Sequence, residues 1–205
     1  MTTTTTNESA TLRGKQTPWK WPLFGICVVV MLVSFIFMPD YADDADKWGY
    51  GLRVTARLEF AFLMLAYIAR PLKQLFGIGD VLIKHRRYLG LSMALAHTVH
   101  FFCVWAVVAW YDLPLEVITV LFGAPAFLLM WAMAATSNNA SMRRLKKNWK
   151  RLHTVGLHYL WVIFMQSFVG RVGADDPYYL YLILTLLGLA GLGLRVWAYW
   201  AKRAT

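Results

Sequence analysis

Four of the five histidines in this 205-residue chain stand where an imidazole needs a partner or a task. His97 and His100 close the stretch RRYLGLSMALAHTVH, and His153 and His158 fall in NWKRLHTVGLHYLWV. Both stretches read as membrane helices, where histidine is costly unless it is paired or functional. Three residues apart on a helix, His97 and His100 turn nearly to one side, about one turn from each other. Two helices that run in the same direction and offer neutral imidazoles inward can ligate one iron from both sides, while apolar walls bury a porphyrin. The chemistry in view is bis-histidine haem ligation, with His97, His100 and His158 as candidates for the iron. His85 lies in a basic stretch and reads as a solvated loop residue.

Depth along the helices orders these candidates. Counted from Arg87 at 1.5 Å per residue, His97 lies about 15 Å in and His100 about 20 Å. Counted from Arg151, His153 lies about 3 Å in and His158 about 10 Å. The nearest match in level is His97 with His158. His153 then falls near the headgroups, as an interfacial histidine or a propionate donor. Two alternatives compete with haem. Zinc takes three or four ligands, often with a carboxylate, and neither histidine helix carries one. Hydrogen bonding that only holds the bundle together is the other. Arg53 and Arg57, four residues apart on a preceding apolar segment, face the same way. They read either as an interfacial cluster with Glu59 as local partner or as a clamp for an anionic group such as a haem propionate.

The segments that must position these residues make the chain an all-α, polytopic membrane protein built as a six-transmembrane-helix bundle. With 59% hydrophobic residues it is too apolar for an ordinary soluble domain. Apolar runs are expected at about 22–38, 51–69, 89–110, 117–135, 152–169 and 178–200, the second stopped by Arg70-Pro71 and the fourth kinked at Pro125. The first run is read as a retained helix, because the following PDYADDADK offers no small-residue cleavage site. Residues 1–17 read as a Thr-rich, disordered cytoplasmic tail, and 18–205 as the six-helix haem-binding domain.

The net charge of +10 is concentrated in loops, which points to anionic lipid and topology, not to nucleic acid. The tail, the 70–88 loop, the 136–151 loop with Arg143, Arg144, Lys146, Lys147, Lys150 and Arg151, and the C-terminus are basic and so cytoplasmic. The intervening loops, with Asp40 to Asp46, Asp112 and Glu116, and Asp175 and Asp176, are acidic and lie outside. Cys27 and Cys103 both fall in apolar runs and read as small core residues. Tryptophans and tyrosines near the helix ends, among them Trp19, Trp48, Tyr179 and Trp200, form an interfacial aromatic belt.

GLRVTARLEFAFLMLAYIARPLKQLFG, then RRYLGL before a histidine-bearing helix, then NWKRLH, together resemble the ferric reductase-like transmembrane domain over roughly residues 50–170. That family includes ferric reductases, NADPH oxidases and the haem-bearing membrane subunit of a periplasmic methionine sulfoxide reductase system. The resemblance implies a six-helix bundle with haem b between the third and fifth helices and electron transfer across a bacterial inner membrane to an outside acceptor. It selects His100 and His153 as ligands. Gln166 stands where the family's second fifth-helix ligand falls, so one haem b is expected and a second is left open. No flavin or nicotinamide segment is visible. An oxidoreductase subunit of this kind needs a separate cytoplasmic reductase or a quinol as donor. The alternative is a haem-free membrane protein whose histidines bind a metal or stabilise a complex.

Overall fold

The computed structural model describes residues 20–41, 43–111, 117–173 and 178–204. The expected disordered tail, Trp19 and the acidic loops at 112–116 and 174–177 lie outside them. The described residues are all-α, with seven helices: α1 (Lys20–Ile36), α2 (Asp44–Phe76), α3 (Asp80–Tyr111), α4 (Val117–Ala135), α5 (Asn139–Leu145), α6 (Lys147–Val169) and α7 (Tyr178–Ala204). Each expected apolar run is the body of one long helix. The seventh helix, α5, is a short basic turn inside the expected 136–151 loop, capped by the Asn138 side chain on the Ser141 N–H at 2.8 Å.

The chain is an integral membrane protein with several apolar helices. Three, α3, α6 and α7, are long and apolar enough to cross a bilayer, and α4 with α5 makes a fourth if that pair, bent by 105°, is one span. The other two of the expected six depart for separate reasons. The apolar stretch of α1 covers only Leu23–Ile36. Helix α2 is long, but Arg53, Arg57, Glu59 and Arg70 interrupt its hydrophobicity. Large apolar side chains such as Val29, Leu32, Leu121, Leu128, Leu186 and Leu187 point outward, as they do where the surroundings are lipid.

Two boundaries differ from the sequence reading. Pro71 does not stop α2, which runs on to Phe76 with Pro71 buried. Proline at 71 removes the hydrogen bond to the carbonyl of Tyr67, and Arg195 of α7 donates to that oxygen instead, at 3.3 Å. The second difference is at α3, which begins nine residues before the expected Leu89. Arg86 and Arg87 are therefore helical, and His85 is buried in the helix where a solvated loop residue was expected. Only residues 77–79 separate α2 from α3. The turn is glycine-dependent: Gly77 has φ 71° and Gly79 φ 103°, and a Cβ on Gly79 would come within 2.9 Å of the Ala69 carbonyl. Lys73 closes the turn on Asp80 at 2.7 Å.

This short connection makes α2 and α3 an antiparallel hairpin, packed along its length. Helix α7 lies against α2 and α6, α4 against α6, and α1 against α3. The core contains Phe60, Leu63, Leu89, Ala96 and Leu160. The two histidine helices, α3 and α6, are not packing neighbours. The space between them is what positions the site.

Candidate functional site

Helix α3 presents one continuous face, Arg86, Gly90, Met93, His97 and His100, at steps of three and four residues. Its first three members line a cavity of about 690 Å³ between α2, α3, α4, α6 and α7. The opposite wall is α6, through His153, Thr154, Leu157 and Leu160. Met130 and Met133 of α4 supply soft apolar surface. Arg70, Arg86, Arg87, Lys150 and Arg195 bring positive charge to the same space. A Cβ on Gly90 would meet nothing within 4 Å, so that rung opens directly onto the cavity. Tyr67 lines it too; the residue is 1% exposed and its hydroxyl has no hydrogen-bond partner. The volume lies within the range of about 300–1,000 Å³ that cofactor sites occupy. Apolar walls with a cationic rim and a spare phenol suit a flat apolar group that carries carboxylates.

One turn beyond Met93, His97 and His100 stack on each other, with ring centroids 6.1 Å apart and planes at 11°. Both are held by α2. His97 Nδ1 donates to Glu59 Oε2 at 2.7 Å. His100 Nδ1 lies 2.9 Å from Thr55 Oγ1. The single Thr55 proton is directed to the Gly51 carbonyl at 2.8 Å, so Thr55 accepts from His100. On α6, His158 Nδ1 donates to the Thr154 carbonyl at 2.7 Å, and its ring meets Tyr67 edge-on at 5.5 Å. In their neutral form all three imidazoles then carry the proton on Nδ1 and the lone pair on Nε2, the atom open to a ligand.

His153 is held on both sides of its ring. Its Nδ1 bonds the Trp149 carbonyl at 3.0 Å, the ring stacks on Trp149 at 4.0 Å, and Nε2 faces Ser137 Oγ at 3.5 Å. It lines the cavity, whereas His158 is turned towards α2. The structure thus brings His97 and His100 together and leaves the two α6 histidines apart from them. Along α2, Glu59 beside His97 and Tyr67 beside His158 are eight residues, about 12 Å, from each other.

The arginine pair separates. Arg53 turns back along α2 towards Gly49. Arg57 approaches the Tyr181 hydroxyl, to which Arg171 donates at 3.3 Å. Glu59 is not the local partner of either arginine; it is 1% exposed and committed to His97. Sequence reasoning missed this pairing, as well as Thr55, Tyr67, Arg171 and Arg195. The available signals were a carboxylate inside LEFAFLML and an arginine inside the last apolar run, each costly in a bilayer without a partner. Among the described residues, no group of three or more His, Cys, Asp or Glu side chains is gathered as a bare metal ion requires.

No family model and no solved structure matches the chain. Curated proteins do. The chain is 34% identical over 160 residues to the protein-methionine-sulfoxide reductase heme-binding subunit MsrQ of Xanthomonas euvesicatoria pv. vesicatoria, a match covering 70% of this chain and 67% of the relative. It is 31% identical over 159 residues to the protein of the same name from Bordetella pertussis, covering 69% and 70%. With that of Xanthomonas campestris pv. campestris (strain B100) it shares 33% over 157 residues, covering 70% and 66%.

Proposed function

Because the chain belongs to the family of protein-methionine-sulfoxide reductase heme-binding subunits, we propose that it is a haem b membrane protein relaying electrons across the bacterial inner membrane to an acceptor outside. The observation that carries this reading is the shared state of His97, His100 and His158, whose Nδ1 atoms are hydrogen-bonded within the bundle, the first two to α2 and the third to its own helix, so that Nε2 is the atom left for a ligand. Helix α3 supplies one axial ligand through His97 or His100, and α6 supplies the other through His158, with His153 closing the cavity wall. The haem supplies the one-electron chemistry. The chain supplies neutral donors, an apolar wall of methionine and leucine, and cations for the propionates. Arg57, beside Arg171, is the better placed of the arginine pair for that purpose.

In this reading α1, α2, α3, α4, α6 and α7 all cross the bilayer, with α2 turning its charged residues into the bundle. The basic ends face the cytoplasm. Electrons arrive from a separate cytoplasmic reductase or a quinol. They leave to the partner subunit of a methionine sulfoxide reductase, the system for which the relatives are named.

A second reading has one observation in its favour. The Glu59–His97 bond would also stabilise a haem-free bundle. The visible spectrum of the purified protein separates the two: a Soret band with a reducible α-band is expected, and its absence removes the haem reading. Haem content after His→Ala at 97, 100, 153 and 158 then assigns the ligands. Loss at His153 with retention at His158 reverses the α6 assignment.

A further inference from the structure

Helices α1 and α4 both pack on α3, but they are not packing neighbours of each other. Between them α3 forms the floor of a groove of about 480 Å³, lined by Tyr88, Leu91, Ala94, Leu95 and Thr98. Phe24 of α1 and Trp131 of α4 make its walls, and both are exposed large apolar side chains. The small side chains of Ala94 and, on α4, Ala134 give the groove its depth. Its one threonine is already satisfied, since the Thr98 hydroxyl donates to the Ala94 carbonyl of its own helix at 2.7 Å. Cys27 Sγ on the Ser92 carbonyl, at 3.5 Å, fixes α1 beside the floor.

Length and charge decide what fits there. Tyr88 to Thr98 is ten residues, about 15 Å of helix. That is half of a hydrocarbon core of about 30 Å, so the groove occupies one leaflet. A transmembrane helix of another chain would need the full span, whereas a single acyl chain needs one leaflet. One end of the groove is cationic. At about 100° per residue, Lys84 and Arg87 fall within the arc of α3 that its lining residues span. Lys84 is exposed there, and Arg87 reaches Asn139, where α5 begins, at 2.5 Å. Both long side chains also border the large cavity. Asp80, one turn earlier on the same face, is bonded to Lys73 at 2.7 Å and leaves them their charge. Cations at headgroup level beside an apolar cleft between helices are the chemistry that holds a lipid phosphate.

We propose that this groove binds one acyl chain of an anionic phospholipid from the leaflet at the basic end of the bundle, with its phosphate held by Lys84 and Arg87. The chain fills the gap between α1 and α4. It thereby ties α1, which among the described residues packs only on α2 and α3, to a third helix. The site is independent of the haem reading.

The test uses the full-length protein purified in detergent, followed by native mass spectrometry during titration with phosphatidylglycerol or phosphatidylcholine of identical acyl chains. Wild type takes up one phosphatidylglycerol per chain in a saturable step, with an affinity at least about 10-fold above that for phosphatidylcholine. Lys84→Gln cuts the phosphatidylglycerol affinity about 5-fold and leaves that for phosphatidylcholine unchanged. Ala94→Phe fills the floor and abolishes the saturable step for both lipids. Leu95→Trp fills it from the next position, should Ala94→Phe fail to fold. Equal affinity for the two lipids, or a Lys84→Gln protein that binds as wild type does, overturns the proposal. Saturable uptake by a folded groove-filled variant overturns it as well. A wild-type dimer that Ala94→Phe dissolves, or a co-purifying isoprenoid that phosphatidylglycerol does not displace, gives the groove to another occupant and overturns it too. Loss of the haem spectrum with lipid binding intact would remove the functional reading and leave this one standing.

Discussion

Arg195 of α7 donates to the carbonyl of Tyr67 at 3.3 Å and lies over the Tyr67 ring at 4.2 Å, in the place where Pro71 withholds its own N–H. A defect in one helix is thus repaired by a cation 128 residues along the chain. Because Tyr67 and Arg195 both line the large cavity, the repair also shapes its wall.

Removing the repair should be measurable. Arg195→Leu leaves a buried carbonyl unpaired and deletes the cation–π contact, at a cost of about 1–3 kcal/mol in thermal or denaturant unfolding in detergent. Pro71→Ala returns the helical donor, so the cost of Arg195→Leu should shrink in the Pro71→Ala background. Equal costs in both backgrounds would show that Arg195 serves the cavity alone.

Gly90 gives a second expectation. Its missing Cβ faces open space in the cavity, so Gly90→Phe can be accommodated by filling it. The ring should then occupy the volume assigned to the haem, and the haem-to-protein ratio should fall sharply while stability of the haem-free protein changes by less than about 1.5 kcal/mol. Full haem loading of a folded Gly90→Phe protein would place the cofactor elsewhere in the bundle.

The two arginines of α2 should not behave alike. Arg57 converges with Arg171 on Tyr181, whereas Arg53 is drawn back to Gly49. Arg57→Gln should weaken haem retention by about 1–3 kcal/mol, roughly 10-fold in a haem-transfer assay to an apo-acceptor. Arg53→Gln should have a smaller effect. The reverse order would return the clamp to Arg53.

Much of this was legible in the chain. Helix α4 runs from Val117 to Ala135, as expected, because nothing charged interrupts that run and no distant partner is needed to finish it. The histidines were legible for the opposite reason, as residues a bilayer does not tolerate idle. What was hidden is non-local. The continuation of α2 through Pro71 depends on Arg195, which a local breaker rule cannot see. Glu59 sits two residues from Arg57, and sequence proximity suggested an ion pair, but an α-helix turns adjacent-but-one residues to different sides. The fold gives Glu59 to His97 on α3 instead. His85 was assigned to water because it follows Lys84 and precedes Arg86; burial inside α3 depends on neighbours from the whole bundle.

Topology supplies the last expectation, and it bears on the six-span reading that composition of the helices leaves at three or four. If α1 and α2 both cross, the segment between them, with Asp40 and Tyr41, faces outside, and the α4–α6 connection around Ser141 faces the cytoplasm. Cysteines introduced at Asp40 and at Ser141, in a background where Cys27 and Cys103 are replaced by serine or alanine, should label oppositely in intact cells with a membrane-impermeant maleimide. The Asp40→Cys variant should react in whole cells, and Ser141→Cys only after the membrane is opened. The two native cysteines are buried and not disulfide-linked, so replacing them with residues of similar size breaks no covalent link. Labelling of both positions from the same side would mean that α2, α3 and α4, the three long helices between them, do not all span, leaving α2 or α4 as a re-entrant element.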